Sequence, residues 1–426
     1  MNKIEINALM KFDNIKIIAT MKSKNGIIYV HDEKINLSTN KKRGDIKKDI
    51  KNALLSIESK TSKKIKEINI IFDDFMKNSE LLKVKTKIIK ESTKYEVEKK
   101  LNYDDYQTIV QRTINNQNAN NEILISAVPF KFIFVECGSA NECESYSFPF
   151  DKKVSKLAII FSLRFMDKNS FLKTVDYFDS LDIKVNNVAL ESQLVIYNGI
   201  DNEKLNKVNF ALAIKNDKTI LISSDNNVVI RTDILEYSFE NLVKKIEDKF
   251  GISNQEAKNL IQCYGKINVG TNEDKEIIYS SYSLKEQHSN PINRSDVANV
   301  IKSFLKSICS QANNIIKKIT KNNGNNFELK IIGKLSRIND LSNYCSKYFE
   351  KVNVLLSERN ESIYSWNKSF ESVKNYWMYL KMLDNKMNTE TFYYNNNKDS
   401  FNRDSTYQNK QAIKSTNKRS VEALLA

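Results

Sequence analysis

Glycine is scarce in this chain, and its spacing limits what the chain can bind. Only nine of the 426 residues are glycine, and no two of them lie closer than five positions apart. Loops that cradle a phosphate need closely spaced glycines, because a residue without a side chain lets backbone N–H groups approach the anion. No GxGxxG or GxxxxGK loop occurs, so a nucleotide would have to be held in an unusual way.

The stretch FALAIKNDKTILIS, residues 210–223, places a polar turn between two apolar runs. Apolar, β-rich runs on either side of a short polar segment predict a hairpin. The same position could hold a phosphate-binding turn that has lost its glycines. Whether the chain is an enzyme depends on which of these interpretations is correct.

Length and composition predict a folded protein of two or more domains. Hydrophobic residues make up 41% of the 426 residues and charged residues 28%. No run of eighteen apolar residues occurs, so no transmembrane helix is expected, and the N-terminal residues lack a signal-peptide core. The five cysteines are scattered without a CxxC pair, and the two histidines lie far apart. A zinc site or a disulfide framework is therefore not expected, and a reducing cytoplasm is the predicted compartment.

The net charge of +15 has two interpretations. It is compatible with a nucleic acid or an anionic membrane as partner, or with lysines spread over every solvated face. Lysines occur in all regions, and no arginine-rich run or aromatic RNA-binding pattern is present. We therefore expect no nucleic-acid partner, but a mild attraction to anionic lipid.

Alternating apolar runs and helical stripes follow one another along the chain. Residues 3–37 predict paired strands, a helix opens at Asp45, and a strand follows it, which is an α/β order. Residues 84–162 are β-rich with one helix near Asn102 and have the pattern of an inserted unit. The apolar spacing over 295–319 predicts a long helix. Gly251 is predicted to end one helix, and Ser253 with Glu256 to cap the next.

The stretch FGISNQEAKNLIQCYG, residues 250–265, resembles a helix–loop–helix segment of FtsA, the actin-like bacterial division protein. The residues that fit that pattern are Glu256, Ala257, Lys258, Tyr264 and Gly265. Residues 171–199 are similar to an FtsA helix–strand–helix. Residues 329–356 resemble its late glycine-pair segment, in which Gly333 matches and the second glycine is replaced by Lys334. The resemblance covers about Lys3 to Leu383 and rests on the order of these segments.

The resemblance implies an α/β, actin-like (ribonuclease H-like) fold with two lobes and an FtsA-type inserted subdomain. The first lobe is expected over 1–83, 164–197 and 365–393, with the inserted subdomain over 84–163. The second lobe is expected over 198–240 and 320–364. A small helical subdomain at 241–319 and a flexible tail at 394–426 complete the predicted organisation.

Three segments where the resemblance places the family's nucleotide turns are degenerate. The first falls on residues 8–18, the second on 212–217 and the third on IIGKL, residues 331–335. We expect vestigial turns and no cofactor, with weak binding of ATP and magnesium as the alternative. The residues of these turns are Lys11, Asp13, Asn14, Lys215, Asn216, Asp217, Gly333 and Lys334. No catalytic residue and no metal site are predicted. Lys215 and Lys218 are expected to fill the space of a phosphate or to be solvated, and Asp13 and Asp217 to be turn residues.

The predicted helix at 295–319 lies where the resemblance implies a site for the C-terminal peptide of FtsZ. An acidic peptide needs cations beside an apolar groove. The candidate residues are Arg294, Lys302 and Lys306. A plain solvated face is the other interpretation of the same residues.

The last residues could contact a membrane through Ile413, Val421, Leu424 and Leu425, or form a frayed end. The predicted role is that of an FtsA-like adaptor that links FtsZ filaments to the inner face of the cell membrane and self-associates. It is predicted to be a pseudo-ATPase. The alternatives are an actin-like ATPase with atypical turns and another actin-like scaffold, of the pilus-assembly or plasmid-partition type.

Overall fold

The computed structural model describes residues 4–356, apart from 12–13, 24–25, 38–41, 75–83, 118–120, 198–207, 227, 269, 271–274, 284–287 and 321–326. The predicted membrane-contacting residues Ile413, Val421, Leu424 and Leu425 lie outside the described residues. So do Asp13, the predicted 365–393 part of the first lobe and the tail at 394–426. Within the described residues, no helix is long and apolar enough to cross a membrane.

The first lobe is built on a five-stranded sheet with the order β3-β2-β1-β4-β9. The first three strands form antiparallel hairpins, whereas β4 pairs parallel with β1 and β9 pairs parallel with β4. The helices α1 and α3 contribute side chains to the core cluster of this sheet. The elements are β1 (Ile4–Met10), β2 (Asn14–Ser23), β3 (Gly26–Asn36), α1 (Arg43–Thr61), β4 (Glu67–Phe72), α3 (Lys168–Asp179), β9 (Lys184–Leu190) and α4 (Glu191–Tyr197).

The second lobe repeats this sheet, with the order β12-β11-β10-β15-β16. Again the first three strands are antiparallel, and β15 and β16 continue the sheet in parallel. The apolar residues of α4 pack against one face of the sheet. The elements are β10 (Val208–Ile214), β11 (Thr219–Asp225), β12 (Val228–Leu235), α5 (Phe239–Phe250), β15 (Phe327–Gly333), α8 (Leu341–Ser346) and β16 (Val352–Leu356).

The two five-stranded sheets have the same strand order. Each contains three antiparallel strands followed by two parallel strands. Such a pair of sheets is the duplicated core of the actin-like fold. The prediction of an α/β, actin-like fold with two lobes is therefore confirmed. Each lobe carries extra elements between its first hairpin strands and its last strand.

The insertion in the first lobe is a four-stranded antiparallel sheet, β5-β8-β6-β7, with α2 packed on one face. We call these four strands the inserted sheet. Its helix is capped by Asn102, whose side chain accepts from the Asp105 amide while the Asp105 carboxylate accepts from the Asn102 amide. The elements are β5 (Val84–Lys100), α2 (Tyr103–Asn115), β6 (Glu122–Glu136), β7 (Glu142–Ser145) and β8 (Lys153–Asp167).

The insertion in the second lobe consists of α6 (Asn254–Tyr264), the hairpin β13 (Ile277–Ser283) and β14 (His288–Asn293), and the long helix α7 (Arg294–Thr320). The apolar residues of α6 and α7 belong to one cluster with those of α5, β10 and β15. Gly251 ends α5 with a left-handed φ of 64°, and Ser253 and Glu256 form the capping box of α6. Both helix-end predictions are confirmed.

Candidate functional site

Two hairpin turns face the cleft between the lobes, one at the end of β1 and one at the end of β10. In the first, the Lys11 amide donates to the Asn14 carbonyl over 2.9 Å. In the second, the Lys215 amide donates to the Lys218 carbonyl over 2.8 Å. The second is a two-residue loop, residues 216–217. The prediction that residues 210–223 form a hairpin is confirmed.

Lys215 is a buried lysine, with only 5% of its surface exposed. Its ammonium lies 3.0 Å from Oε2 of Glu191 and 3.7 Å from Oδ1 of Asp73. Lys218, also buried, lies 4.0 Å from the same oxygen of Asp73. We call these four residues the lysine–carboxylate cluster. The interpretation of Lys215 and Lys218 as solvated residues is wrong, because buried carboxylates from the other lobe surround them.

The carboxylates of this cluster come from the first lobe. Asp73 directly follows β4 and Glu191 directly follows β9. Parallel neighbouring strands end at one edge of a sheet, and ligand-binding residues of open α/β sheets collect there. Asp73 and Glu191 were not among the predicted site residues. Their position directly after an apolar strand is the sequence pattern that would have indicated them.

Burial raises the pKa of Glu191, and the charge of Asp73 raises it further, whereas Lys215 and Lys11 lower it. The ammonium of Lys215 therefore favours the ionised carboxylate in a place where water is excluded. An isolated carboxylate in such a place would be protonated or strongly destabilising. The cluster satisfies its own charges without an added cation.

The helix α5 begins beside the Lys215–Lys218 turn, but its first amides are already used. The amides of Phe239 and Glu240 donate to the carbonyls of Lys215 and Asn216 over 2.8 and 3.0 Å. The next amide, of Asn241, donates to the Ser238 hydroxyl over 3.1 Å. Free N–H groups make a helix N-terminus attractive to a phosphate, and these three bind the turn and the cap instead.

Gly333 is the last residue of β15, and its backbone explains why glycine stands there. Its φ is +115°, and a Cβ at this position would lie 2.3 Å from the carbonyl oxygen of Ile214. Ile214 is the partner of Gly333 across the two strands. The close approach of β10 and β15 therefore requires glycine without any bound ligand.

The remaining residues of the predicted turns differ in exposure and contacts. Asn14 is buried and Asn216 is exposed. The Asp217 side chain is 68% exposed and lies 3.6 Å from the Lys218 ammonium. Lys334 places its ammonium 4.9 Å from the centre of the Phe239 ring, and burial lowers its pKa, with the charge of Lys258 acting in the same direction.

A second buried polar group lies directly behind the lysine–carboxylate cluster. Arg164 of β8 donates to the carboxylate of Asp74 over 2.5 Å and to the hydroxyl of Ser192 over 2.7 Å. The Ser192 amide also donates to Asp74 over 2.8 Å. Asp74 and Ser192 directly follow Asp73 and Glu191 in the chain. The peptide bonds Asp73–Asp74 and Glu191–Ser192 therefore connect this polar group to the lysine–carboxylate cluster.

The predicted partner surface falls on α7. Arg294 begins this helix, where its guanidinium pairs with Glu276 over 2.8 Å and lies 5.8 Å from the Tyr264 ring centre. Lys302 and Lys306 lie two and three turns further along, with Lys306 exposed and Lys302 half-buried. The structure thus brings the two lysines onto one face and holds Arg294 separately, at the junction of α7 and its preceding hairpin.

No group of three or more His, Cys, Asp and Glu side chains within the described residues is placed to hold a metal ion. A cation between Asp73 and Glu191 would compete with the ammonium of Lys215. The Lys215 ammonium occupies the position between the two carboxylates that a divalent cation would need.

No protein-family model and no curated protein match the chain. Among solved structures it is similar to MreB5 of Spiroplasma citri bound to AMPPNP, with 11% identity, a TM-score of 0.48, and 89% of this chain and 97% of that chain covered. It is also similar to a chain of a PilM–PilN type IV pilus biogenesis complex, with 12% identity, a TM-score of 0.47, and coverage of 88% and 94%. The ethanolamine utilization protein EutJ from Carboxydothermus hydrogenoformans gives 7% identity, a TM-score of 0.38, and coverage of 84% and 86%. The assignment of the fold rests on the strand order of the two sheets.

Proposed function

We propose that this chain is an actin-like scaffold that works without a bound nucleotide, that is, a pseudo-ATPase. The observation that carries the proposal is the ammonium of Lys215 between the carboxylates of Asp73 and Glu191. This ion pair joins the two lobes in the cleft, where a nucleotide with its metal would otherwise join them.

Electrostatics support the proposal. A triphosphate needs cations and free N–H groups, and its magnesium needs carboxylate oxygens. Here Lys215 neutralises the carboxylates, and the first amides of α5 are bound by the turn. A nucleotide would have to break a buried ion pair before it could bind, which leaves uncompensated charges inside the protein.

Calorimetric titration of the full chain with ATP and magnesium tests this proposal. We expect no heat of binding at micromolar to submillimolar ATP and no release of phosphate. Micromolar affinity together with hydrolysis would show that the chain is an ATPase with atypical turns.

The more specific role that we propose is a division-site adaptor that links FtsZ filaments to the membrane and self-associates. The resemblance to FtsA and the exposed face of α7 support it. Lys302 and Lys306 are spaced i, i+4, so their ammonium groups lie on one face beside the buried stripe of the helix. A short acidic peptide could place its carboxylates there and its apolar residues on the helix edge.

The double variant Lys302→Glu/Lys306→Glu tests the peptide site. Exposed charge pairs contribute about 0.2–1 kcal/mol each, so one substitution should weaken binding a few-fold and the double reversal should abolish it at low salt. The control is Lys48→Glu/Lys51→Glu on α1, which changes the net charge equally on the first lobe. Arg294 is left unchanged, because its pair with Glu276 holds the start of α7. If both double variants bind an FtsZ tail peptide as the wild type does, the peptide docks elsewhere.

We further propose that the last residues contact the inner face of the cell membrane, which would make the protein peripheral and cytoplasmic. A short apolar patch gives only marginal affinity, so several copies on one filament are needed. Sedimentation with anionic liposomes should pellet the full chain and leave a chain ending near Tyr394 in solution. Equal pelleting of both removes the tail from this role. Another actin-like scaffold, such as one of pilus assembly, remains the alternative if the FtsZ peptide fails to bind.

A further inference from the structure

The inserted sheet is anchored in the core of the first lobe. Ile125 of β6 and Met166 of β8 belong to the same buried cluster as the strands and helices of that lobe. Ile123 packs against this cluster from the start of β6. The strands β5, β6 and β8 are 17, 15 and 15 residues long, so they extend well beyond their anchored ends.

The middle of the inserted sheet contacts the edge of the second lobe. Val128 and Phe130 of β6 form a small buried cluster with Val228 of β12, and Ile160 and Ile230 pack against it. The Ser162 hydroxyl donates to the backbone carbonyl of Val229 over 2.7 Å, with both residues buried. Because β12 is the outer strand of its sheet, this contact also covers an edge that would otherwise be open.

A polar contact between the inserted sheet and the second lobe accompanies this apolar one. Tyr146, which comes directly after β7, hydrogen-bonds Asp225 at the end of β11. Burial and the neighbouring carboxylate raise the pKa of Tyr146 to about 12, and burial raises the pKa of Asp225. Tyr146 and Asp225 are both half-buried where the two lobes meet.

Arg164 connects the same sheet to the cleft. It lies on β8, two residues from Ser162, and its guanidinium binds Asp74 and Ser192. Those residues directly follow Asp73 and Glu191 of the lysine–carboxylate cluster. One strand of the inserted sheet thus contacts the second lobe through Ser162 and the back of the cleft through Arg164.

We propose that the inserted sheet is a built-in clamp that ties the first lobe to β12, so that the cleft cannot open unless the contact with β12 also breaks. A hinge between two lobes opens by moving one lobe relative to the other. Here the lobes are held both in the cleft and at β12, and the inserted sheet shares the buried core of the first lobe. This inference goes beyond the proposed function, since it concerns how the insertion controls the cleft.

Hydrogen exchange of the full chain, without nucleotide, tests the clamp. The variant Val228→Arg places a charge in the contact between the inserted sheet and β12. We expect faster exchange in β12 and also at the cleft amides of Asp73, Phe239 and Glu240, which are bonded within their own lobes beside the lysine–carboxylate cluster and become accessible to water when the lobes separate. The expected acceleration at the cleft is at least about tenfold, which corresponds to roughly 1.4 kcal/mol of lost local stability.

The matched control is Val97→Arg, the same change of residue type on the inserted sheet, at a position that is 80% exposed. It should leave the exchange of the cleft amides unchanged. Should Val228→Arg unfold the protein, Phe130→Ala and Ser162→Ala weaken the same contact more gently and should show the same pattern. Faster exchange in β12 with unchanged cleft amides, in any folded variant, overturns the clamp. Because no nucleotide is present, this outcome is independent of whether the chain binds ATP.

Discussion

Replacing Lys215 by methionine removes the positive charge of the lysine–carboxylate cluster while keeping an unbranched side chain of similar length. Asp73 and Glu191 then lie buried without their main partner, and Lys218 remains 4.0 Å from Asp73. Removing one partner of a buried ion pair destabilises a protein by about 3–5 kcal/mol. Because Lys218 compensates in part, we expect the lower end of that range.

A loss of about 3 kcal/mol shifts Tm by roughly 6–12 °C, at about 2–4 °C per kcal/mol for units of 150–250 residues. Thermal unfolding followed by calorimetry or circular dichroism at pH 8 measures it. The control Lys51→Met, at an exposed position, should stay within about 1 °C because surface substitutions usually change stability by under 0.5 kcal/mol. A Lys215→Met protein as stable as this control would refute the reasoning.

The destabilisation should depend on pH in a defined direction. Burial raises the pKa of Glu191, and Lys215 counteracts that rise. In Lys215→Met the pKa of Glu191 therefore rises further. As the pH falls through this raised pKa, Glu191 takes up a proton in the folded variant, and its uncompensated buried charge is removed. The difference in Tm between variant and wild type should thus shrink as the pH falls from 8 toward 5.

Two companion experiments identify the cause. The double variant Lys215→Met/Glu191→Gln leaves one buried charge fewer and should recover part of the lost Tm. Millimolar magnesium or manganese should raise the Tm of Lys215→Met but not that of the wild type, because the two carboxylates become available to a cation. An equal response of both proteins to the metal would show that Lys215 does not block such a site.

Two further predictions concern residues of the second lobe. Gly333→Ala should lower the free energy of unfolding by several kcal/mol in urea titrations, because its Cβ would overlap the Ile214 carbonyl and its φ is +115°; unchanged stability would mean that the two strands separate freely. The hydrogen bond from Tyr279, followed by that from Ser253, lowers the pKa of Glu256 to about 2. The stability contributed by Glu256 is therefore present above its ordinary pKa and is lost as the pH falls toward 2. Glu256→Gln should lack this part of the acid dependence, and identical acid titrations of the two proteins would contradict it.

Local patterns in the sequence predicted the elements well, because hairpins and helix ends depend on neighbouring residues. The apolar runs on both sides of Lys215–Lys218 predicted a hairpin, and Ser253 with Glu256 predicted a capping box. The two-lobed, actin-like fold was predicted from the resemblance of these segments, in their order, to FtsA. None of these predictions depends on contacts between residues that are distant in the sequence.

The residues that meet in the cleft could not be predicted in this way, because they come from distant parts of the chain. Glu191 and Asp73 follow strands of one sheet and Lys215 follows a strand of the other, so they come close only in the folded protein. From the sequence alone, a lysine directly after an apolar strand is interpreted as a solvated turn residue. Arg164 inside the apolar run KLAIIFSLRFM, residues 156–166, was a visible exception, since a charge in a buried strand requires a partner.

If the chain binds no nucleotide, as we propose, its cleft cannot respond to nucleotide hydrolysis. A ligand shifts a conformational equilibrium only through its different affinity for the two states, and Lys215 is covalently part of the chain, so its contribution is constant. In a scaffold of the proposed kind, assembly would then be set by the local concentration of copies on a surface and by partner binding. The clamp between the inserted sheet and β12 gives such a partner one place to act, because Arg164 and Ser162 on β8 join that contact to the back of the cleft.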